Sequence, residues 1–152
     1  MQRIHLLQVE ADADVFAPLI AELARRGERA GWLDWRPGDD AQGVVTGPLA
    51  DAADLGVLRA VSVDRSAAVS IKPASGPAVL RDVVREYFRG CRAVLVRSAS
   101  PVQALDGGGP IPVLCRDGER FRVERGGGRF ELDAVELSDR LRRVRPFRTD
   151  VY

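Results

Sequence analysis

Two short stretches of the sequence combine residue types that can hold a phosphate or another anion. Thr46-Gly47-Pro48 and Ser75-Gly76-Pro77 each place a hydroxyl, a glycine and a proline directly before apolar residues. A hydroxyl side chain caps a helix and proline suits its first position, so each stretch predicts a helix start. Helix starts carry free N–H groups that bind anions, which makes the two stretches candidates for one anion site. The alternative is that both are ordinary capping signals.

Lys72 and Asp34 complete this candidate site for an anion or a nucleotide. Lys72 is the single lysine beside 22 arginines, and its compact ammonium suits a site where a planar guanidinium does not. Asp34 lies near the carboxyl end of a predicted strand, where an acid can hold a ribose hydroxyl. The alternatives are an exposed lysine at a strand end and a solvated turn at Pro37-Gly38-Asp39. Neither GxxxxGK[ST] nor GxGxxG occurs, so no particular cofactor is predicted.

A second candidate surface lies towards the carboxyl end of the chain and would bind a protein partner. It combines arginines of the last predicted helix with aromatic residues of the tail, namely Arg140, Arg142, Arg143, Arg145, Phe147 and Tyr152. The aromatic side chains are too apolar for a free chain end, so we expect the tail to dock on its own domain or on a partner. The alternative role of the arginines is structural, since cations near the end of a helix oppose its dipole favourably.

The sequence supplies few groups for metal binding or catalysis. His5 is the only histidine and lies inside the first predicted strand, a position typical of a structural residue. Cys91 and Cys115 lack CxxC spacing and lie in apolar strand contexts, where free cysteine usually acts as a small buried side chain. One histidine and two separated cysteines cannot supply four zinc ligands, so we predict no metal site and no disulfide.

Hydrophobic periodicity predicts the elements that must position these residues. We expect strands over Arg3–Val9 and Arg29–Trp35, joined by a helix over Val15–Arg26. The loop between the first strand and this helix follows the carboxyl end of the strand, the edge where open α/β sheets bind ligands. Asp12 or Asp14 in that loop is expected to cap the helix.

The stretch from Val69 to Arg97 shows the order strand, loop, helix, strand. Apolar pairs at every fourth position over Val79–Arg89 predict a helix, and the unbroken apolar run Ala93–Val96 predicts a strand covered on both faces. Together they predict a right-handed βαβ unit. Val57–Asp64 and Ala67–Ile71 are expected to form a hairpin, whose second strand enters this unit.

Alternating apolar residues between Ile111 and Leu132 predict a three-stranded antiparallel meander. Its first turn is expected to be of type I′ with Asp117-Gly118 at the centre. Asp133 then caps a last helix that ends before Pro146. The predicted fold is a single α/β domain over residues 1–152 with a flavodoxin- or Rossmann-like, mostly parallel sheet and flanking helices. It comprises a βαβ core over 1–98, the meander plus helix over 111–144, and a tail over 145–152.

The βα order and the pattern Trp32-Leu33-Asp34 followed by Gly38-Asp39 resemble the Toll/interleukin-receptor-type domains. The resemblance covers about a third of the chain. It lacks a counterpart of the catalytic glutamate motif of that family, and the meander departs from its layout. What it implies is a flavodoxin-like fold, and a fold alone does not imply a function.

Composition bounds the remaining functional classes. The 152 residues carry a net charge of +1, which is too weak a basic bias to predict nucleic-acid binding. No apolar run approaches the ~20 residues of a membrane span and no signal peptide is apparent, so we expect a soluble cytoplasmic protein. The predicted function is a non-catalytic module that binds a protein partner, self-associates or serves as a subunit of an assembly. The alternative is a domain that binds a nucleotide or another phosphate-bearing small molecule, including an enzyme with Lys72 and Asp34 or Asp39 in proton transfer.

Overall fold

Seven strands form one sheet in the computed structural model, which describes residues 3–36, 55, 60–63, 65, 68–71, 79–104, 109–143 and 149–151. The order is β2-β5-β1-β6-β7-β8, and β9 also pairs with β1. The strands are β1 Arg3–Val9, β2 Ala30–Asp34, β5 Ala93–Arg97, β6 Val113–Asp117, β7 Arg120–Arg125, β8 Gly128–Leu132 and β9 Thr149–Val151. β2, β5, β1 and β6 run parallel, whereas β6, β7 and β8 form the predicted antiparallel meander. The chain therefore has a mixed α/β fold in which the meander continues the parallel part of the sheet.

Among the described residues three α-helices lie against the sheet, and they are α1 Ala17–Arg25, α2 Leu80–Tyr87 and α3 Ala134–Arg142. α1 and α3 pack in a first core cluster, which includes Leu7, Val9, Leu19, Leu23, Leu95, Phe121, Leu137 and Leu141. α2 packs in a second core cluster, which includes Ile4, Leu6, Leu80, Val84, Val94, Val96, Val102 and Ile111. Successive side chains of a strand point to opposite faces, so β1 and β5 contribute to both clusters.

The crossover connections explain why α1 and α2 lie on opposite faces. The chain runs from β1 through α1 to β2 in one direction across the sheet, and from β2 through α2 to β5 in the other. Right-handed connections that run in opposite directions place their helices on opposite faces. Along the chain, residues Pro37–Ala78 form a second compact unit between β2 and α2. The expectation of a single domain over residues 1–152 stays a prediction.

The pairing of β4, Ala68–Ile71, differs from that in the predicted βαβ unit. β4 pairs with β3, Ala60–Val63, as an antiparallel two-stranded sheet, whereas the parallel neighbours of β5 are β2 and β1. The hairpin prediction and the order strand, helix, strand are thus confirmed, but the predicted parallel partnership of β4 with β5 is wrong. The physical reason is that a short connection allows antiparallel pairing with the adjacent strand, and a short loop costs little closure entropy.

The turn between β6 and β7 lies one residue later than predicted. Asp117 pairs with Arg120, so Gly118 and Glu119 occupy the two central positions. Gly118 has a φ of +61°, a conformation that side chains with a Cβ rarely adopt. The glycine therefore determines the register of the turn, and Asp117 remains in the strand.

Candidate functional site

The carboxyl ends of the neighbouring strands β1 and β5 lie side by side. The connections that follow these two strands lead to opposite faces of the sheet. After β1 the chain enters α1 on the face of the first core cluster. After β5 it passes through Val102 and Ile111 on the face of the second core cluster. In open α/β sheets ligands bind in the crevice at such a switch point. The side chains at this edge are therefore the candidate site.

Three charged side chains lie together at this edge. Arg97 Nη1 is 3.0 Å from Asp12 Oδ1 and 4.0 Å from Asp34 Oδ1. The side chains of Arg97 and Asp34 are each 41% exposed and that of Asp12 is 72% exposed, so water screens the pairs. The cluster holds one cation between two carboxylates. It therefore offers no uncompensated positive charge to an anion.

Asp12 occupies the predicted cap position but does not use its side chain there. It is the cap residue of a short 3-10 turn over Ala13–Phe16, and its side chain makes no capping hydrogen bond. Its carboxylate pairs with Arg97 instead. The cap prediction for Asp12 is therefore confirmed in position and wrong in mechanism, because a long cationic side chain from the neighbouring strand competes for the same carboxylate.

Gln8 anchors the loop that follows β5. Its side chain is buried, with 3% exposure, although it lies in an otherwise apolar strand. Nε2 donates to the carbonyls of Ser98 and Ser100 at 3.3 and 3.1 Å, and Oε1 accepts from the N–H of Val102 at 3.1 Å. The amide thus uses both donors and its acceptor on one loop. A polar amide near the carboxyl end of a mostly apolar strand was the sequence signal for this role.

Ser98 completes the anchored loop. Its hydroxyl donates to the carbonyl of Ser100 at 2.9 Å and accepts from the N–H of the same residue at 3.3 Å. Together with the Gln8 amide, these contacts hold the loop after β5 in place at the switch point.

Histidine, cysteine and acidic side chains form no metal-binding cluster in the described part of the chain. No group of three or more of them there could hold a metal ion. His5 is buried in β1 with 2% exposure, so a substrate in solution does not reach it. Burial raises the pKa of the Cys91 thiol, which favours the protonated form rather than the nucleophilic thiolate.

The residues predicted for the partner surface divide into three groups, which are arginines that contact other parts of the chain, an exposed arginine and positions that the structure does not describe. Arg142 Nε donates to Glu28 Oε1 at 2.9 Å and so joins α3 to the chain that follows α1. The guanidinium carbon of Arg140 lies 4.9 Å from the centroid of the Phe130 ring, a cation–π distance. Arg143 is exposed at the end of α3. The remaining predicted positions, Arg145, Phe147 and Tyr152, lie outside the described residues.

The predicted anion site is described only at Asp34, which takes part in the cluster with Arg97. Thr46, Gly47, Lys72, Ser75 and Gly76 lie outside the described residues. The structure therefore brings Asp34 together with two residues that the sequence analysis did not place at that site. Arg97 ends an apolar strand at its carboxyl end, and that position was the available signal.

The outer edge of β8 is a second candidate site. Within the described chain, β7 is the one strand that pairs with β8. Arg129 and Glu131 are exposed and their side chains are 2.9 Å apart, whereas Phe130 packs against the first core cluster. β8 therefore presents a charged, solvated strip next to an edge that no described strand covers, which is where another chain can add a strand.

No helix in the described ranges is long and apolar enough to cross a membrane.

Comparison with known proteins adds no relative from which a role could be transferred. No protein-family model matches the chain, and no curated protein and no solved structure matches it.

Proposed function

We propose that this chain is a non-catalytic α/β module that binds a protein partner or serves as a subunit of an assembly. The observation that supports this proposal is the outer edge of β8, which no described strand covers. An uncovered edge offers backbone donors and acceptors to another chain. Cytoplasmic residence is part of the proposal, and the free thiols of Cys91 and Cys115 support it.

The chemistry of the switch point favours this proposal over catalysis. Arg97 is held between two carboxylates, and the Gln8 amide is fully engaged with the loop after β5. A general acid or base needs a titratable group within reach of a substrate. The single histidine, His5, is enclosed in the sheet and does not meet that requirement, and the exposed carboxylates of Asp12 and Asp34 are paired with the Arg97 guanidinium.

Affinity capture tests the proposal. The wild-type chain and the Glu131→Pro variant would be immobilised and exposed to the same cell extract. Proline removes one backbone donor at an edge position that tolerates it, so the variant should fold but lose the retained partner. Glu119→Arg, in the turn before β7, is the control and should retain the partner. If the wild type retains no protein and does not associate with itself, the proposal is wrong.

The second candidate function is binding of a nucleotide or another phosphate-bearing small molecule. It is favoured by the position of Asp34 and Arg97 at the carboxyl ends of parallel strands, with helices on both faces. The finer assignment of the sheet to the flavodoxin- or Rossmann-like class belongs to this proposal. Binding would require a phosphate to displace a carboxylate from Arg97.

Thermal melts against nucleotides and sugar phosphates test this second candidate. A ligand at about a hundred times its dissociation constant stabilises the folded chain by ~2.7 kcal/mol. For a chain of this size that is a rise in melting temperature of several degrees, on the order of 5–10 °C. The rise should disappear in Lys72→Ala and Arg97→Ala, and it should persist in Arg25→Ala. If no compound changes the melting temperature of the wild type, this candidate is excluded.

A further inference from the structure

We propose that the partner at the β8 edge is a second copy of this chain, paired antiparallel with β8 about a two-fold axis at Phe130. The inference rests on the proposed function and specifies its partner. The two seven-stranded sheets would join into one continuous sheet across the axis. Two features of the described chain support a self-complementary edge, and they are the direction of its backbone groups and the charges of its side chains.

The hairpin register shows which backbone groups of β8 face outward. Gly126 and Gly127 form a two-residue turn, and Arg125 pairs with Gly128. The pair that closes such a turn exchanges hydrogen bonds, and bonded pairs alternate with unbonded pairs along an antiparallel ladder. Phe130 therefore bonds to β7, whereas the N–H and C=O groups of the residues on either side of it point to the open edge.

A contact within the chain agrees with this direction. The carbonyl of Glu131 accepts a hydrogen bond at 3.0 Å from the side chain of Arg120. A side chain, rather than the backbone of β7, thus satisfies this outward group in the single chain. A second copy would replace the guanidinium donor of Arg120 with a backbone N–H.

Antiparallel pairing about Phe130 matches both the hydrogen bonds and the charges. It places Arg129 opposite Glu131 of the second copy and Glu131 opposite Arg129 of the second copy. These are the two residues whose backbone groups face outward, so each opposed pair exchanges two hydrogen bonds. Arg129 already pairs with Glu131 in its own chain at 2.9 Å, which shows that both side chains lie on the same face. Opposite charges that face each other across strands stabilise the pairing.

The occupant is specific because the pattern is its own complement. A two-fold axis converts the order Arg, Phe, Glu into the order Glu, Phe, Arg on the opposing strand. An unrelated peptide would need a glutamate opposite Arg129 and an arginine opposite Glu131. A second copy of the chain already carries both residues at those positions.

The mass of the full chain in solution tests the proposal, measured by sedimentation equilibrium over micromolar to millimolar concentrations. The wild type should reach twice the 16.6 kDa of the single chain. Glu131→Arg places like charges opposite each other and should weaken the dimer at least about tenfold, as should Arg129→Glu. The double variant Arg129→Glu/Glu131→Arg should recover the dimer. Glu119→Arg changes the net charge as Glu131→Arg does, and it should leave the dimer unchanged.

Mixing the two single variants gives a further test that unfolding cannot imitate. Glu131→Arg carries arginine at both positions 129 and 131, and Arg129→Glu carries glutamate at both. Each variant should be monomeric alone, and the two should form a heterodimer when they are mixed at equal concentration. The proposal would be overturned if the wild type is monomeric at every concentration or if mixing gives no heterodimer. It would also be overturned if both single charge reversals leave the dimer unchanged. If the wild type is monomeric but Glu131→Pro still loses a captured partner, the partner is another protein and the proposed function stands. If neither association occurs, both proposals fail.

Discussion

Gly31 lies in β2 directly beneath the ring of Phe88, and this close approach gives the sharpest stability prediction. A Cβ built on Gly31 would lie 2.5 Å from Cδ1 and 2.9 Å from Cε1 of that ring, and 3.3 Å from Cys91 Sγ. Carbon atoms at optimal contact are ~3.5–4.0 Å apart, so the ring must move by about 1 Å. Phe88 packs against the second core cluster, which limits that movement.

The change Gly31→Ala should therefore destabilise the chain. Overpacking of a core costs about 1–3 kcal/mol, while replacing glycine by alanine within a strand returns about 0.5–1 kcal/mol. At the middle of these ranges the expected net loss in the free energy of unfolding is about 1 kcal/mol. Because 1 kcal/mol corresponds to about 2–4 °C for a chain of this size, the melting temperature should fall by roughly 2–4 °C. Urea unfolding followed by circular dichroism measures the free energy, and a thermal scan measures the temperature.

Two further variants separate the contact with Phe88 from general effects of glycine. Gly127→Ala is the matched control, since a Cβ there meets nothing within 4 Å. It should change the free energy of unfolding by less than about 0.5 kcal/mol. In the double variant Gly31→Ala/Phe88→Leu the smaller side chain should make room, so the two changes should be less than additive. If Gly31→Ala unfolds at the wild-type temperature, or if the two changes simply add, the packing argument is refuted.

Three further predictions concern polar contacts. Gln8→Leu leaves the N–H of Val102 without its buried acceptor, so the free energy of unfolding should fall by about 1–3 kcal/mol and the Val102 amide should exchange faster by NMR. Asp133→Ala removes the acceptor for the N–H of Glu136 at the start of α3 and should cost about 0.5–2 kcal/mol in urea unfolding, while Asp133→Asn should cost less. Hydrogen bonds from Arg25 and Arg26 lower the pKa of Glu22 from 4.5 to about 2, so its contribution to stability is full above pH 4.5 and is lost as the pH falls towards 2. Urea titrations across that range should show the loss in the wild type and a smaller one in Glu22→Gln.

Local patterns in the sequence predict the elements well because their causes are local. The apolar pairs from Val79 to Phe88 predict α2, and the structure buries Leu80 and Val84 at a spacing of one turn. Gly90 has a φ of +94° just after that helix, as a helix stop requires. The alternation in β7 likewise predicts that Phe121 and Val123 are buried.

Strand partners and charge partners are not local, and there the sequence is insufficient. The apolar character of β4 fits a parallel sheet as well as the hairpin that it forms with β3. The carboxylate of Asp12 can cap a helix or bind a cation, and the choice depends on Arg97, which reaches it from another strand. The sequence identifies Asp34 as a candidate, but its neighbour Arg97 follows only from the order of strands in the sheet.

The position of β1 in the sheet has a consequence for how the chain folds. β1 is the first strand in the sequence, yet its partners are β5, β6 and β9, which are all translated much later. On the ribosome the apolar segment His5–Val9 therefore emerges long before any strand that can pair with it. Distant pairing of this kind slows folding and leaves a strand exposed to other chains. Newly made chains should therefore depend on holding chaperones until the second half of the sheet has been synthesised.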